Sequence, residues 1–324
     1  MKRRSFIVTA AVTPLIEPCV AYAQRKGSVP RIGLLSNNPW TDVNALAVWN
    51  AFRSELQRLG WSEGQTVVFE LASSDSAFER LPAVARELFN RGVDLIVVAG
   101  GVAAAAVRGA TQAIPVVFVT VSDPVGSGLV NSLARPGGNL SGLADVSVEL
   151  IGKRLELLTE IARGAKRVGY LTHTTAASWA DEEAGRAGAA LDLQWMPVAV
   201  RREDELPGAI AQHPDAEGWL VGDGIRAFGR AEVTSSFAML RKPVVYPSSN
   251  FVSVGGLISY AANAHAQFRR AAWFVDRILR GTKIGDLPVE LPSQYELMVN
   301  LRTARAQGIT IPHLVLVRAD EMIE

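Results

Sequence analysis

The sequence is poor in the features that mark several large protein classes. Its 324 residues contain a single cysteine, Cys19, no block of like charges and no run of 18 uninterrupted apolar residues. A nucleic-acid footprint needs clustered basic residues, and a spanning helix needs about 20 apolar residues in a row, so neither is predicted. With 48% apolar and 20% charged residues, the composition is that of a soluble globular protein. The length exceeds that of a typical single core and predicts two domains.

Signatures of catalysis are also scarce. The four histidines, His173, His213, His265 and His313, show no metal-ligand spacing, and no Gly-x-Ser-x-Gly nucleophile elbow occurs. The segment VVAGGVAAAAV lacks the third glycine of the dinucleotide fingerprint, and the chain has no phosphate-loop lysine. The sequence therefore predicts no catalytic residue, no cofactor and no metal, and an α/β enzyme is poorly supported.

Residues 1–23 differ in kind from the rest. They combine a basic start, a short apolar middle and an Ala-Tyr-Ala ending, which is the pattern of an export signal. The pair Arg3-Arg4 favours the twin-arginine route over the ordinary secretory route. Glu17-Pro18 fits a lipid anchor on Cys19 poorly, so we expect cleavage after residue 23. The mature chain would then have no thiol and no membrane span, and would reside in the periplasm.

From Arg31 onward, short apolar runs alternate with helix-like segments. RIGLLS, TVVFELA, DLIVVAGG and IPVVFVT read as strands, and continuous apolar strands separated by helices predict a parallel sheet covered on both faces. The pattern restarts at RVGYLT, 136 residues after RIGLLS, and PVVFVTVSDPVGSGL has a counterpart in PVVYPSSNFVSVGGL. Two similar lobes in tandem explain these matches better than coincidence between Val-rich strands does.

We therefore expect an α/β protein of two doubly wound, parallel-sheet lobes joined by a multi-strand hinge. The segment AQFRRAAWFVDRILRG has one apolar face, formed by Phe268, Ala272, Val275 and Leu279. We expect this helix to return to the first lobe, so that the chain crosses between lobes more than once. The expected boundaries are residues 30–143 with about 261–292 for lobe one, and residues 144–260 with about 293–324 for lobe two.

In a doubly wound sheet, ligands bind beyond the carboxyl ends of the strands. The residues that follow the predicted strands are mostly small and hydrogen-bonding. We expect ligand contacts from Ser36, Asn37, Gly100, Gly101, Ser122 and Asp123 in lobe one, and from Thr172, His173, Asp223 and Ser248 in lobe two. Trp40 and Tyr260, each at the end of a strand or of the loop after it, are candidates for covering an apolar or planar ligand.

Several of these expectations compete with simpler explanations. Gly100 and Gly101 open a helix whose amides would hold a carboxylate, but tight packing would also select glycine. For His173, ligand contact and simple exposure are equally good explanations. Asp123 and Asp223 would face each other as acceptors for a ligand amine, whereas Asp123 before Pro124 also suits a turn.

Several blocks of the sequence resemble a known family. They are MKRRSFI, ERLPAVARELFNRGVDLIV, PVVFVTVSDPVGSGLVNSLARPGGNLSGL, KRLELL, YPSSNFVSVGGLISYAAN and LPVELPSQYELMVNLRTARAQGITIP. Together they cover nearly the whole chain and resemble the ABC-transporter substrate-binding proteins that include tryptophan-type binders. The resemblance implies a type I periplasmic-binding fold with three crossovers and an enclosed ligand. Asn250 before Phe251, and His173-Thr174-Thr175, depart from the family's pattern, so the ligand's identity is not carried over.

The resemblance also implies a function. We expect an exported receptor that captures a small organic solute, such as an amino acid or an aromatic or carboxylate solute, and delivers it to an ABC permease with its ATPase. An exported sensor subunit that a signalling partner reads is the alternative. A sugar-responsive repressor with the same lobes is not expected, because an export signal and no helix-turn-helix precedes Arg31.

Overall fold

The computed structural model describes residues 28–146, 149–174 and 178–324. The expected export signal, residues 1–23, lies outside the described residues, as do Cys19 and Thr175. Within these three ranges, no helix has the length and apolar composition needed to cross a membrane.

Lobe one is built on a five-stranded parallel sheet. Its strands are β1 (Arg31–Ser36), β2 (Val68–Ser73), β3 (Leu95–Ala99), β4 (Val116–Val121) and β5 (Leu140–Ala144), in the order β2-β1-β3-β4-β5. The helices between them are α1 (Val43–Arg58), α2 (Leu81–Asn90), which follows a 3-10 turn at Phe78–Arg80, and α3 (Gly101–Ala110). Along β3, Ile96 and Val98 face α2 and α3, whereas Val97 faces α1. Both faces of the sheet are therefore buried, which explains the continuous apolar runs.

Lobe two repeats this plan and extends it. Its first five strands are β6 (Arg167–His173), β7 (Gln194–Val200), β8 (Gly218–Val221), β9 (Val244–Tyr246) and β10 (Ile258–Ala262). Their order is β7-β6-β8-β9-β10, which is the order of lobe one. The helices are α4 (Ile151–Ile161), α5 (Ser178–Ala190), α6 (Leu206–Ala211), α7 (Arg230–Ala238) and α8 (Ser249–Ser253), with 3-10 turns at Glu203–Glu205 and Asp223–Ala227.

The rest of the chain serves both lobes. Helix α9 (Ala264–Leu279) and a 3-10 turn (Ile284–Asp286) belong to lobe one, and β11 (Tyr295–Asn300), α10 (Leu301–Gln307), α11 (His313–Val317) and β12 (Glu321–Ile323) belong to lobe two. Strand β11 runs antiparallel to β10 and parallel to β12. The expected α/β fold class with two mostly parallel sheets is confirmed, and the mixed end of the second sheet is the difference from the expectation.

The glycine shared by RIGLLS and RVGYLT makes a tight contact in both lobes. A Cβ on Gly33 would lie 2.8 Å from a methyl carbon of Leu88, and a Cβ on Gly169 would lie 2.5 Å from the indole of Trp219. A helix in lobe one and a neighbouring strand in lobe two use the space that the missing side chain leaves. The repeated glycine is therefore a packing requirement of each sheet.

The chain passes between the lobes at three places. It leaves lobe one between Ala144 and Ile151, returns at Asn263, and leaves again after Glu290, whose amide still donates to the carbonyl oxygen of Gly142 at 2.9 Å. Helix α9 begins at Asn263, whose side chain accepts from the amide of Ala266 at 2.8 Å. Its apolar face packs in one core cluster with α1, so lobe one is completed by a distant part of the sequence.

Candidate functional site

A cavity of about 850 Å³ lies between the two lobes. Lobe one lines it with residues that follow β1, β3 and β4, and lobe two lines it with residues that follow β6, β8 and β9. The carboxyl ends of the two parallel sheets therefore face the same cleft. This is where doubly wound sheets place their ligands.

Most of the residues predicted from the sequence to contact a ligand line this cavity. Nine of them line its wall: Ser36, Asn37, Gly100, Gly101, Ser122, Asp123, His173, Asp223 and Ser248. The two departures from the family pattern are also on the wall, since His173 and Asn250 both line it.

Three nominated residues do not line the cavity. The indole Nε1 of Trp40 donates to the carbonyl oxygen of Ala72 at 3.1 Å, and this ring packs on Trp49 inside lobe one. Thr172 is 2% exposed, and its strand neighbour His173 points to the opposite side, toward the cleft. The ring of Tyr260 stacks on Tyr295 at 6.0 Å between centroids. The positions of these residues along the strands did not show whether their side chains face the cleft or the core.

The wall of lobe one contains the start of helix α3. Gly100 has a φ of 88°, a conformation that suits glycine, and the helix begins there without a side-chain cap. The first amides of a helix have no partner within the helix, so they can bind an anion. Beside them, Asn37 Nδ2 donates to the carbonyl oxygen of Ala99 at 3.4 Å, and Asn37 Oδ1 is buried with no hydrogen-bond donor among the described residues.

Asp123 closes the turn that follows β4. Its Oδ1 accepts from the amide of Gly126 at 2.7 Å, and its carbonyl oxygen accepts from the hydroxyl of Ser127. A Cβ on Gly126 would lie 1.9 Å from the other carboxylate oxygen, so the carboxylate is folded over this glycine. The turn-forming role that the sequence left open is therefore present, and it occupies one of the two carboxylate oxygens.

The wall of lobe two is organised by a buried arginine. Arg154 on α4 has 1% of its side chain exposed. Its Nε donates to the carbonyl oxygen of Tyr260 at 2.8 Å, and its Nη2 donates to that of Pro247 at 3.2 Å. Its Nη1 binds Asp223 Oδ2 at 3.2 Å. One guanidinium therefore fixes the ends of β9 and β10 and the loop after β8.

Asp223 begins a charged segment, residues 223–230, that lies along the cleft. Its second oxygen is 3.5 Å from Arg226 Nη1, and that same nitrogen is 2.9 Å from Asp145 Oδ2. Although burial alone would lower the pKa of Arg226, the carboxylates of Asp145 and Asp223 together raise it. Asp145 follows the last strand of lobe one, and its amide donates to the carbonyl oxygen of Val121. The segment is thus tied to the hinge.

The other end of this segment reaches the opposite lobe. Arg230, the first residue of α7, lies with Nη1 3.6 Å from Oδ2 of Asp42, which caps α1 through Oδ1. Burial lowers the pKa of Arg230, the Asp42 carboxylate opposes this change, and the charge of Arg226 adds to it. The cleft is therefore bridged near the hinge and again between the start of α7 and the cap of α1.

Between these polar walls, the cavity has an apolar and aromatic lining. Trp49 and Phe268 line it from lobe one, and their rings meet edge to face at 4.9 Å. Tyr170 and Phe251 line it from lobe two, where burial raises the pKa of the Tyr170 hydroxyl. Such a cavity can hold a molecule that is charged at one end and apolar at the other.

Two kinds of residue were missed at the sequence level. Arg226 and Arg230 follow Asp223 within seven residues, so the carboxyl end of β8 was a usable signal for them. Arg154 carried no such signal, because it lies on a helix and contacts the cleft residue Asp223 without lining the cavity itself. Among the described residues, no group of three or more His, Cys, Asp or Glu side chains is placed to hold a metal ion.

Comparison with known proteins identifies the family of this chain. Residues 44–323 match the sequence profile of the ABC transporter substrate binding proteins. The chain belongs to that family. The expected resemblance is thereby confirmed, and with it the type I periplasmic-binding fold.

One relative and two solved structures are similar to this chain. A tyrosine-binding protein of Clostridioides difficile (strain R20291) is 25% identical over 284 residues, which are 83% of this chain and 80% of the relative. A Streptococcus pneumoniae domain solved in complex with L-Trp is 25% identical, with a TM-score of 0.81 over 91% of this chain and 100% of that one. A conserved domain protein of Vibrio cholerae shares the fold, with 24% identity and a TM-score of 0.82 over the same shares.

Proposed function

We propose that this chain is the exported receptor of an ABC importer and that it captures an amino acid with an aromatic or other large apolar side chain. The observation that carries the proposal is the cleft of about 850 Å³, which has polar groups on both walls and an aromatic lining between them. The relatives that bind tyrosine and L-Trp support this ligand class.

Each part of an amino acid has a partner in the cleft. The carboxylate would lie at the start of α3, against the amides of Gly101 and its neighbours. The ammonium group would donate to acceptors such as Asn37 Oδ1, which is buried and has no donor within the part of the chain that the structure describes. The side chain would pack on Trp49 and Phe268. Asn250 and His173 would then tune which side chains fit.

Capture would proceed by closure of the lobes. A ligand that contacts both walls binds the closed state more tightly than the open state, so it shifts the population toward closure. The closed receptor would then dock on a permease whose ATPase drives import. Export before this step would depend on residues 1–23, and sequencing the amino terminus of the periplasmic protein would test cleavage after Ala23.

Isothermal titration calorimetry tests the ligand class. We expect saturable binding of L-tryptophan, L-tyrosine or L-phenylalanine, and much weaker binding of tryptamine, which lacks the carboxylate, and of indole-3-propionate, which lacks the ammonium group. A ligand at a hundred times its Kd should also stabilise the folded state by about 2.7 kcal/mol. Absence of binding by all three amino acids would contradict the proposal.

A variant at the start of α3 tests the position of the carboxylate. A Cβ on Gly101 would meet only Val121, at 3.8 Å, so valine fits the fold but projects beside the helix amides. Gly101→Val is expected to weaken binding by about tenfold or more, with little change in Tm. Gly109→Val, on the same helix but away from the cavity, is the matched control and should bind as the wild type does.

A further inference from the structure

Two charged side chains from opposite lobes meet across the cleft. Arg230 begins α7 in lobe two, and Asp42 precedes α1 in lobe one, with 3.6 Å between Nη1 and Oδ2. About three quarters of each side chain is covered, since their exposed fractions are 24% and 25%. The pair is therefore shielded more than an ordinary surface ion pair.

The position of this pair makes it sensitive to the separation of the lobes. Arg226 in the same segment binds Asp145 close to a crossover, where opening of the lobes changes distances little. Arg230 and Asp42 join α7 to α1 outside the crossover segments, and Arg230 also lines the cavity. A rotation about the crossovers that opens the cleft would separate the guanidinium from the carboxylate. Their attraction therefore exists only in the closed arrangement.

Asp42 has two functions that one substitution can separate. Its Oδ1 accepts from the amide of Ala45 at 2.8 Å and caps α1, whereas its Oδ2 faces Arg230. Asparagine caps a helix as well as aspartate does, but it carries no charge. Asp42→Asn thus removes the attraction across the cleft and keeps the cap.

We propose that Arg230 and Asp42 form a latch across the cleft that favours the closed state and so sets ligand affinity through the rate of release. This inference rests on the proposed function for its effect on affinity, but not for its effect on closure. An interaction made only in the closed state lowers the apparent Kd by raising the population of that state. Release, which requires opening, becomes slower for the same reason.

The affinity test is a double-mutant cycle with the tightest-binding aromatic amino acid as the probe. Asp42→Asn and Arg230→Gln are each expected to weaken binding by about threefold to tenfold, mostly through faster dissociation. The Kd of the double variant should be no higher than that of the weaker-binding single variant, since both substitutions break the same interaction. Additive effects of the two substitutions would overturn the latch.

The matched controls are a pair that stays within one helix. Glu55 and Arg58 on α1 are joined at 2.6 Å, and Glu55→Gln and Arg58→Gln change the net charge by the same amounts as the latch variants do. Neither residue lines the cavity, so both variants should keep the wild-type Kd. A Kd for either control variant that is as weak as that of the latch variants would contradict the latch.

Closure can also be measured without any ligand. Cys19 is the only cysteine in the sequence, and it lies within the expected export signal. Once the signal is removed, no native cysteine has to be replaced before labels are attached to introduced cysteines. Nitroxides at Ser54→Cys in lobe one and Met239→Cys in lobe two, both exposed, would report the lobe separation by double electron–electron resonance. We expect Asp42→Asn and Arg230→Gln to shift the distribution toward longer distances.

The two readouts separate this inference from the proposed function. If no amino acid binds but the variants still lengthen the distances, the function is wrong and the latch stands. If amino acids bind and the distances of Asp42→Asn equal those of Glu55→Gln, the latch is wrong and the function stands.

Discussion

Replacement of Arg154 by methionine removes the group that holds the wall of lobe two together. Methionine fills a similar length with an apolar side chain, but it donates no hydrogen bond. The carbonyl oxygens of Tyr260 and Pro247 lose the hydrogen bonds from the guanidinium, and Asp223 loses one guanidinium partner but keeps Arg226. The substitution therefore leaves polar groups buried without compensation.

The size of the effect follows from burial. Arg154 is 1% exposed and Asp223 is 18% exposed, so neither group regains much hydration when the pair is broken. Removal of one partner of a buried ion pair costs about 3–5 kcal/mol when the remaining charge has no second partner. Because Asp223 keeps the guanidinium of Arg226 at 3.5 Å, the lower end of this range, about 3 kcal/mol, applies here. We expect the free energy of unfolding of Arg154→Met to fall by this amount.

Urea unfolding followed by circular dichroism measures the change. The control is Lys153→Met on the same helix, which removes an equal charge from a side chain that is 43% exposed, and it should stay within about 0.5 kcal/mol of the wild type. Adding Asp223→Asn to Arg154→Met should recover part of the loss, since the carboxylate that lost the Arg154 guanidinium is then replaced by a neutral amide. A free energy of unfolding of Arg154→Met within about 1 kcal/mol of that of Lys153→Met would contradict a structural contribution from the buried guanidinium.

Two further predictions concern other residues. Trp40→Phe should lower the free energy of unfolding by about 1 kcal/mol, because the hydrogen bond to the carbonyl oxygen of Ala72 is lost. The ligand Kd should not change, and a weaker Kd would show that Trp40 contacts the ligand. Burial raises the pKa of Glu296 above its ordinary value of 4.5, so its contribution to stability is full below that value and is lost as the pH rises through the raised pKa. Glu296→Gln should therefore be more stable than the wild type near pH 8 and equal to it near pH 4, and equal stability at both pH values would contradict this.

The sequence was informative wherever a local pattern determines the structure. The apolar strands, and the repeated Arg-x-Gly at Gly33 and Gly169, follow from period and packing over a few residues. The apolar face of α9 likewise identified a helix that packs on lobe one. Nine cleft residues could be named because the carboxyl ends of parallel strands are read directly from the order of elements.

The remainder depends on contacts between distant parts of the chain. Arg230 meets Asp42 only because two lobes are brought together, and the 188 positions that separate them carry no sign of it. Trp40 follows a strand end, as ligand residues do, yet a backbone carbonyl and the ring of Trp49 hold it in lobe one. The direction of β11 depends on a third crossover, so the antiparallel pairing with β10 was not predictable from the residues of β11 alone.

Capture of an amino acid between the two lobes is tested most directly by a crystal structure of the chain with the tightest-binding aromatic amino acid. We predict electron density enclosed between the lobes, with the carboxylate at the amides of α3 and the side chain against Trp49 and Phe268. At least one residue of the lobe-two wall should also contact the ligand. Density that touches only one lobe, or that lies outside the cleft, would contradict it.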